Sequence, residues 1–469
     1  MSRIIVGGGI SGLSAAYYAM KQPTNQPLIV LEATDRFGGW LKTTRLIDGT
    51  IFEQAARTIR PSGISGANTL QLVEELGLGD EIMPVSKLSP AAKNRMIYAN
   101  GSLHSLPNSL MGLFRRQEPF SKPLIYYLMN DVITPKKHVL GDDESLYSFA
   151  SRRFGNEVAD YLISPVVCGI CGGDAKEISV KFLMKPLFEK EQRYGSVLQG
   201  LFFDGLTKKR ENLMDSRLLL RSRSEKWNVY SFKNGIEVLP RTLKKKLDSK
   251  GIDIRANTKI VDVELNKHSV ICKTESGDCI VGNEIISSIP AFELSTLLKN
   301  HHPELASILA SIQYASMCVV NLQYNGKVIP KEGFGFLVAP NEESALLGVI
   351  FDSCCFPYRE TTVLTAMIGG YKYHKYINNN TSEKEMEIIA LKELKRMLKL
   401  DEKPQSVKVQ FLKNCIPQYM VGHEMKVKEI EGYIKRNRLP LAICGSSYYG
   451  VGVNDVIFSA KKAIDEIRD

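Results

Sequence analysis

The sequence has few of the features that mark a membrane-spanning or secreted protein. No apolar run reaches the roughly 18 residues that a membrane-spanning helix needs, so no such helix is predicted. The nine cysteines are odd in number and irregular in spacing, which argues against a disulfide framework. Met1-Ser2-Arg3 leads directly into the apolar Ile4–Val6, so neither a signal peptide nor a cleaved presequence is expected.

Clusters of reactive or metal-binding side chains are also scarce. The seven histidines are scattered, and no catalytic triad or carboxylate dyad is evident. The lone Cys168-Gly-Ile-Cys171 has neither a second CxxC nor a nearby histidine, so no metal site is predicted. A dithiol redox role stays open for this pair, although two ordinary buried thiols are the favoured interpretation.

Composition and charge indicate a globular protein with an anionic partner. Hydrophobic residues make up 44% and charged residues 24% of the chain, as in ordinary globular proteins. The length of 469 residues predicts two or three domains. The 61 Lys and Arg exceed the 51 Asp and Glu, and the net charge of +10 suits nucleic acid, anionic lipid or an acidic small molecule. No basic motif interleaved with aromatic residues appears, so nucleic acid is not expected as a partner.

The first strong motif is a glycine-rich turn between a predicted strand and a predicted helix. Ile4–Val6 predicts a buried strand, Gly7-Gly8-Gly9-Ile10-Ser11-Gly12 follows, and residues 13–20 predict a helix. This is the context that a GxGxxG dinucleotide motif requires, with the pyrophosphate at the helix N-terminus. A second strand, Leu28–Leu31, ends at Glu32, whose carboxylate is placed to accept hydrogen bonds from ribose hydroxyls.

Two further stretches favour FAD over NAD. The segment from Glu32 to Thr44 resembles the extended ExxxRxGG pattern of the amine oxidase and phytoene desaturase flavoprotein superfamily, and the segment from Leu441 to Asp455 resembles its C-terminal flavin motif. The resemblance implies non-covalent FAD, with Arg36 on the pyrophosphate. By its residue type and position, Asp455 is a candidate N-cap of the last helix. The other residues that the resemblance assigns to the cofactor are Ala33, Gly39, Trp40, Ala55, Ala56, Arg57, Thr58, Ile260, Ser446, Val451, Gly452 and Val453.

Four additional stretches resemble the mitochondrial, animal-type protoporphyrinogen oxidase family: 94–101, 118–124, 319–324 and 414–419. The resemblance implies oxidation of protoporphyrinogen IX to protoporphyrin IX, the penultimate step of haem synthesis, with O2 as acceptor and three H2O2 formed. It also implies peripheral attachment to the intermembrane-space side of the mitochondrial inner membrane, and it allows a homodimer.

The same resemblance assigns substrate-positioning residues. Arg95 holds a substrate propionate, Gly169 lines the substrate cavity, and the apolar walls are Phe334, Leu337, Ile350 and Met367. The sequence departs from the family at Phe52–Arg57, where a Gly-Pro pair is usual, and at the Cys168/Cys171 pair. Without the resemblance, Arg95 would be expected on the surface and the four wall residues in the hydrophobic core.

The expected fold is α/β and has three parts. A discontinuous Rossmann-type FAD-binding domain covers 1–90, 225–295 and 416–469. An α-helical membrane-binding domain covers 91–210, and a strand-rich α+β substrate-binding domain covers 211–224 and 296–415. On the residues alone, the basic and apolar stretch 103–130 fits either a core helical pair or an interfacial membrane element.

Two other functions remain open at this point. One is a different flavin enzyme, an amine oxidase or a carotenoid desaturase. The other is a non-enzymatic binder on the same fold, as in GDP-dissociation inhibitors of small GTPases, which keep the glycine-rich turn without a flavin. The intact Glu32 and Arg36-Phe-Gly-Gly39 segment argues against the second alternative.

Overall fold

The computed structural model describes residues 2–23, 26–135, 143–207, 216–267, 269–357 and 360–467. These residues divide into two compact units. The first unit contains residues 2–84, 216–313 and 424–467, and the second contains 85–207 and 314–423, apart from the gaps above. The predicted membrane-binding and substrate-binding segments therefore lie largely in the second unit, although 216–224 and 296–313 of the substrate-binding segments belong to the first. The division into three domains stays a prediction.

Eighteen strands are found in the described residues. They are β1 (Ser2–Val6), β2 (Leu28–Leu31), β3 (Thr43–Arg45), β4 (Ile51–Glu53), β5 (Ile82–Ser86), β6 (Met96–Ala99), β7 (Ser102–Ser105), β8 (Trp227–Phe232), β9 (Asp253–Arg255), β10 (Ile260–Asn266), β11 (Ser269–Thr274), β12 (Cys279–Ser287), β13 (Tyr314–Asn325), β14 (Gly335–Val338), β15 (Leu346–Phe351), β16 (Thr361–Gly369), β17 (Ser406–Pro417) and β18 (Leu441–Ile443).

The same residues form twenty α-helices, with short 3-10 turns at Gly79–Glu81 and Gly370–Lys372 and a π-helical segment at Ala159–Ile163. The helices are α1 (Ile10–Met20), α2 (Gly63–Glu75), α3 (Pro90–Lys93), α4 (Leu110–Leu113), α5 (Leu124–Ile133), α6 (Leu146–Phe154), α7 (Asn156–Val158), α8 (Ser164–Cys171), α9 (Val180–Leu183), α10 (Lys185–Tyr194), α11 (Val197–Thr207), α12 (Arg217–Ser224), α13 (Val238–Asp248), α14 (Ala291–Leu298), α15 (Pro303–Ala310), α16 (Asp352–Cys355), α17 (Tyr373–Tyr376), α18 (Glu383–Leu398), α19 (His423–Arg436) and α20 (Val453–Glu466).

The first unit is organised around a central strand that is buried along its whole length. β1 lies between β2 and β12, parallel to both, in a sheet of order β10-β11-β12-β1-β2-β9 with β18 also paired to β12. Parallel strands covered on both faces are nearly continuous apolar runs, as Ile4–Val6 predicts. The core of this unit includes residues of α1, α13 and α20, such as Leu13, Leu243 and Ile457. The predicted α/β class is confirmed.

The second unit contains a mostly antiparallel sheet of order β17-β13-β16-β15-β14-β6-β7. Helix α18 covers one face of this sheet, where Met386, Ala390 and Leu394 pack into its core cluster. Its bounds agree with the amphipathic pattern of the sequence, and its N-terminus carries a capping box formed by Ser382 and Glu385. The sheet therefore has one closed face and a second face on which strand side chains remain partly exposed.

The helical part of the second unit contains a buried ionic cluster. The carboxylate of Asp131 on α5 accepts hydrogen bonds from Arg153 Nε (2.7 Å), Ser196 Oγ (2.6 Å) and the backbone N–H of Leu198 (2.9 Å). Arg153 and Asp131 are both fully buried, and Arg153 Nη1 also donates to the carbonyl oxygen of Thr134 at 3.0 Å. These bonds connect α5, α6 and the start of α11, so this junction is held by paired charges as well as apolar packing.

The Asp131 carboxylate should make stability in acid depend on this cluster. Burial by itself would raise the pKa of Asp131, but the hydrogen bonds from Ser196, Leu198, Arg153 and Val197 outweigh it and hold the pKa below its usual 3.8. A carboxyl group with a lowered folded-state pKa stabilises the fold above its unfolded pKa, and that contribution is lost as pH falls through the folded pKa.

We therefore expect Asp131→Asn to reduce the free energy of unfolding at pH 7 by about 1.5–3 kcal/mol, because it removes the carboxylate that pairs with the buried Arg153 at 2.7 Å and leaves that guanidinium only the longer ion pair with Glu191 at 3.6 Å. Urea unfolding at pH 7, 5 and 3 should give a difference between wild type and variant that shrinks only at the most acidic pH. A difference that is the same at all three pH values would contradict the assignment.

Candidate functional site

The glycine-rich turn at the end of β1 needs glycine for steric reasons. Gly7 has φ +103, and a Cβ atom on Gly12 would overlap the carbonyl oxygen of Gly7. The Ser288 hydroxyl donates to the carbonyl oxygens of Val6 (2.9 Å) and Gly7 (3.2 Å) and so fixes the turn from the end of β12. The sequence motif gave no signal for Ser288, because its role depends on the pairing of β1 with β12.

The N-terminus of α1 is open to a phosphate group. Gly9 is its N-cap residue and provides no side-chain cap, and the first turn contains no acidic residue. The N–H groups of Ile10, Ser11 and Gly12 therefore have no acceptor within the helix, which is the arrangement that binds anions. A Cβ atom on Gly9 would meet no protein atom closer than 3.7 Å, the Cα of Gly39. A methyl group would therefore fit beside Gly9 without a steric clash.

Glu32 lies at the end of β2, as predicted, and is held there by the chain itself. Its Oε2 accepts the backbone N–H of Gly8 at 2.7 Å, and its Oε1 accepts the N–H (3.0 Å) and hydroxyl (2.8 Å) of Thr34. Each carboxylate oxygen has more than one lone pair, so these bonds leave room for a ribose hydroxyl. The N–H of Thr258 donates to the Glu32 carbonyl oxygen at 2.8 Å, which brings the buried Ile260 to this end of the sheet.

The loop that follows Glu32 pairs with the glycine-rich turn. The N–H of Gly38 donates to the Gly8 carbonyl oxygen at 2.8 Å, and Gly9 and Gly38 form an isolated parallel bridge. The Arg36 guanidinium donates to three carbonyl oxygens of its own loop, those of Phe37, Gly39 and Leu41. Arg36 thus stabilises the loop, and its contact with a pyrophosphate stays a prediction. Ala33, Gly39 and Trp40 on the same loop are exposed.

The segment that departs from the family pattern is anchored on both sides. Glu53, at the end of β4, accepts the N–H of Ile236 at 2.7 Å and the hydroxyl of Thr43 at 2.8 Å. Ile59 then exchanges two backbone hydrogen bonds with Tyr230, both 2.8 Å. Between these anchors, Ala55, Ala56 and Thr58 are partly exposed and Arg57 is buried. The replacement of Gly-Pro therefore leaves a defined backbone at 55–58.

The C-terminal motif contacts the helix that follows the glycine-rich turn, in the same unit. The Ser11 hydroxyl donates to Cys444 Sγ at 3.3 Å, although the two residues are 433 positions apart in the sequence. Gly452 is the N-cap of α20, with Ser446 and Val451 in the loop before it and Val453 as its first residue. The structure therefore brings the predicted cofactor residues of both chain ends into one unit.

The assignment of Asp455 as the N-cap of the last helix is wrong. Asp455 lies in the first turn of α20, and Gly452 has the extended backbone conformation of an N-cap. Aspartate is favourable at both positions, so the sequence did not distinguish them. Burial raises the pKa of Asp455, which hydrogen bonds from Gly452 and Ser65 only partly offset.

These features fit a dinucleotide cofactor. Gly9 carries no side chain beside the uncapped N–H groups of α1, which provide donors for a pyrophosphate, and Glu32 lies where a ribose would be bound. The N-terminus of α20 adds a second partial positive charge in this unit. Among the described residues no group of three or more His, Cys, Asp and Glu side chains could hold a metal ion.

The predicted wall residues share one face of the sheet in the second unit. Leu337 on β14 and Met367 on β16 are both in register with Gly348 on β15, and Ile350 lies two residues beyond Gly348 on the same strand. Side chains two residues apart on a strand point to the same face, so all three apolar side chains are on the face opposite α18. They and Phe334 are partly exposed, whereas Phe336, Val349 and Ala366 between them are buried.

Gly169 and Arg95 lie beside this face. A Cβ atom on Gly169 of α8 would collide with the Leu337 side chain, so the helix passes directly over the wall at a residue without a side chain. Arg95 precedes β6, which pairs in parallel with β14, and the N–H of Phe334 donates to the carbonyl oxygen of Asn94 at 3.2 Å. Arg95 is exposed at the end of the wall where β14 begins.

Cys168 and Cys171 are both buried free thiols on α8. Burial raises the pKa of Cys168 to about 12 and that of Cys171 to about 11. A thiol with so high a pKa is a poor nucleophile at neutral pH. These values favour the interpretation of ordinary buried thiols over a dithiol redox pair.

Comparison with known proteins gives a consistent result. Residues 10–468 match the family model described as flavin containing amine oxidoreductase. The solved structure of cyclohexylamine oxidase from Brevibacterium oxydans aligns with 100% of this chain and 99% of its own chain, with a TM-score of 0.69 at 14% identity, and so supports the fold alone. The chain belongs to the flavin-containing amine oxidoreductase family, a family of enzymes, which removes the non-enzymatic alternative.

The closer relatives define the branch. Protoporphyrinogen oxidase of Bos taurus is 37% identical over 466 residues, covering 98% of this chain and 97% of the relative. The Schizosaccharomyces pombe protoporphyrinogen oxidase is 31% identical with the same coverage. The crystal structure of a putative protoporphyrinogen oxidase from Exiguobacterium sp. 255-15 matches with a TM-score of 0.80 at 24% identity, covering 99% and 98%. Within the flavin family, this chain is a member of the protoporphyrinogen oxidases.

The space beside Gly9 provides a direct test of the cofactor site. Gly9→Ala should leave the thermal stability of the apoprotein within about 1 kcal/mol of wild type, since the added methyl group contacts nothing closer than 3.7 Å, yet it should displace the pyrophosphate. We expect the flavin absorbance of the purified variant to fall at least ten-fold.

Gly12→Ala is the matched control for this variant. Its methyl group would overlap the Gly7 carbonyl oxygen, so it should destabilise the apoprotein itself. A Gly9→Ala variant that retains full flavin, or that is as unstable as Gly12→Ala, would show that the space beside Gly9 does not receive the cofactor.

Proposed function

We propose that this protein oxidises protoporphyrinogen IX to protoporphyrin IX in haem biosynthesis, with bound FAD and with O2 as the final acceptor. Three two-electron steps remove six hydrogens from the substrate and produce three H2O2. The observation that carries the proposal is similarity over 98% of the chain to protoporphyrinogen oxidases, together with a partly exposed apolar wall on the second unit.

The first unit holds the cofactor in this proposal. Bound FAD supplies the two-electron acceptor, and it is non-covalent. Gly7–Gly12 and the N-terminus of α1 bind the pyrophosphate, while Glu32 binds a ribose. The backbone of Ala55–Thr58 would contact its ring system, and the N-terminus of α20, with Val451–Val453, would favour negative charge there.

The second unit positions the substrate. Leu337, Ile350 and Met367 contact the faces of the pyrrole rings, with Phe334 and Gly169 completing the lining. Arg95 pairs with a propionate at the end of the wall. No general base is assigned, because a pyrrole N–H proton can pass to water once electrons have been removed. The protein thus contributes mainly orientation.

The role of Arg95 can be tested kinetically. Arg95→Ala removes a charge-assisted contact worth about 1.5–3 kcal/mol, so KM for protoporphyrinogen should rise about ten-fold or more. Flavin content should be unchanged, since Arg95 belongs to the second unit. KM is obtained from the rate of porphyrin formation, followed by fluorescence, as a function of substrate concentration.

Two variants serve as controls for Arg95→Ala. Arg95→Lys should recover part of the affinity, and Lys93→Ala, which removes an exposed cation two residues earlier, should have wild-type KM. Equal KM values for Arg95→Ala and Lys93→Ala would rule out the assignment.

We also propose that the second unit attaches the protein to the intermembrane-space surface of the mitochondrial inner membrane. None of the described helices is long and apolar enough to cross a bilayer. Helices α5 and α11 pack together, and both carry exposed apolar side chains, including Ile133 (75% exposed) and Phe202 (67% exposed). Leu110 on α4 is 80% exposed, and the exposed Arg115 and Arg116 follow it, as in segments that lie on anionic membranes.

The membrane face is tested by exchanging apolar for polar side chains. Ile133→Ser with Phe202→Ser should lower partitioning onto vesicles of phosphatidylcholine and cardiolipin about ten-fold or more, because each side chain gains about 1.5–3 kcal/mol when buried. Ile388→Ser on α18 is the matched control, since Ile388 is 55% exposed in the same unit but outside this face. Equal partitioning of both variants would contradict the proposal.

A further inference from the structure

Asp455 lies where two helix N-termini of the first unit meet. Helix α20 has Gly452 as its N-cap, so Asp455 is its third residue and belongs to its first turn. The carbonyl oxygen of the next residue, Val456, lies 3.5 Å from the hydroxyl of Ser11 in the first turn of α1. Asp455 is therefore placed between the loop 451–453 assigned to the flavin and the contact with the helix assigned to the pyrophosphate.

The Asp455 carboxylate is folded back against the loop that leads into α20. It accepts a hydrogen bond from the backbone N–H of Gly452, as an acidic residue three positions after an N-cap does. A Cβ atom on Gly452 would lie 2.9 Å from Asp455 Oδ2, and one on Gly450 would lie 2.6 Å from the Asp455 Cβ. The loop passes this close to the carboxylate because both positions are glycine.

The same carboxylate connects α20 to the segment 55–66. Asp455 Oδ1 accepts the hydroxyl of Ser65, in the first turn of α2, at 3.4 Å. The side-chain amide of the adjacent Asn454 donates to the carbonyl oxygen of Arg60 at 2.8 Å. Residues 55–58, whose backbone is assigned to the flavin ring, directly precede these contacts. Asp455 thus helps to fix the two backbone segments assigned to the ring, 55–58 and 451–453, against each other.

The charge of this carboxylate is not neutralised by the surrounding chain. Among the described residues no cation forms an ion pair with Asp455. Burial raises the pKa of Asp455, and the hydrogen bonds from Gly452 and Ser65 offset only part of that increase. A further negative charge nearby would raise the pKa of Asp455 again, because it would disfavour the ionised form.

The titratable groups on the elements around Asp455 do not explain its pKa. Helices α1 and α2 have no ionisable side chain in their first two turns, and the next one on α20 is Lys461. The others on the adjoining segment and loop are Arg57, Arg60, Cys444, Tyr448 and Tyr449. Arg57 donates to a carbonyl oxygen of its own segment, Tyr449 donates to Glu431 at 2.6 Å, and burial raises the pKa of Cys444 to about 12. None of them contributes to the shift of Asp455.

We propose that Asp455 is a positioning residue that sets the reduction potential of the bound flavin: as a carboxylate it opposes negative charge on the ring, and as a carboxylic acid it leaves the positive end of α20 to stabilise that charge. The inference rests on the proposed function. Reduction of the flavin therefore draws a proton onto Asp455. Of the two hydrogens that leave the substrate in each round, one reaches the flavin as a hydride and the other is released as a proton. Asp455 takes up a proton in this state and gives it back when O2 is reduced to H2O2.

Midpoint potentials of the flavin in the holoprotein test this role without any porphyrin. Asp455→Asn keeps an acceptor oxygen for Ser65 and Gly452 but removes the charge. At pH 8 reduction of its flavin should be favoured about ten-fold over wild type, which is about 30 mV for a two-electron couple. The difference should shrink between pH 8 and pH 5, because wild-type Asp455 becomes protonated as pH falls through its raised pKa.

Two further variants show that the effect belongs to this carboxylate. Asp465→Asn removes the same charge from an exposed position in the last turn of α20, about 15 Å along the helix, and should have the wild-type potential at every pH. Ser65→Ala removes a hydrogen bond that lowers the pKa of Asp455, so the potential should begin to depart from its alkaline trend at a higher pH than in wild type.

Three outcomes overturn the inference. The first is a potential of Asp455→Asn equal to wild type at pH 8. The second is a difference that is the same at every pH, because a purely structural change in the loop would not titrate. The third applies if Asp455→Asn is purified without flavin: the inference then falls if Ser65→Ala has the wild-type pH profile, and it stands if that profile is shifted to higher pH.

Turnover of the wild-type holoenzyme distinguishes this inference from the proposed function. Wild type that forms fluorescent porphyrin from protoporphyrinogen IX, with identical potentials in Asp455→Asn, overturns the inference and supports the proposed function. A wild-type flavoprotein that forms no porphyrin overturns the proposed function, whereas a pH-dependent difference in potential still supports the role of Asp455.

Discussion

The close approach of backbone to backbone at the end of β1 is the constraint on which the cofactor half of the molecule depends. Helix α1 begins so close to β1 that a single methyl group on Gly12 would overlap the Gly7 carbonyl oxygen. The loop after β2 then pairs with Gly8, and Ser288 fixes the same turn from β12. Three separate chain segments therefore determine the position of one helix N-terminus, whose first N–H groups have no acceptor within the helix.

The second unit depends on a different balance of forces. One face of its sheet is closed by α18, and on the other face small residues make room: Gly348 lies between Leu337 and Met367, and Gly169 lies above them. In its helical part, α5 and α11 direct apolar side chains outward, so those side chains cannot contribute to the core. The buried Asp131 instead connects α5 to Arg153 on α6 by an ion pair and to the start of α11 by hydrogen bonds from Ser196 and Leu198.

Local patterns in the sequence predicted much of the first unit because its chemistry is local. β2 agrees with the predicted Leu28–Leu31. Helix α1 begins at Ile10, three residues before the predicted start, because the turn enters the helix as soon as Gly9 has capped it. Strand β11 was not predicted, and Ser288 and Thr34 gave no signal, since their roles depend on which strands become neighbours. The wall residues were assigned by resemblance alone, because apolar residues on a partly exposed sheet face have the same sequence pattern as residues of a hydrophobic core.

The bond between Ser11 and Cys444 joins residues 433 positions apart, and α1 packs on α20. Between them the chain leaves the first unit twice to build the second, and it returns for the last time at Glu424. During synthesis, the glycine-rich turn therefore lacks its contacts with α20 until that C-terminal helix has left the ribosome. Flavin capture is then a late event in the biogenesis of this protein, and a ribosome-bound chain that lacks α20 would present an incomplete nucleotide cradle for most of its translation.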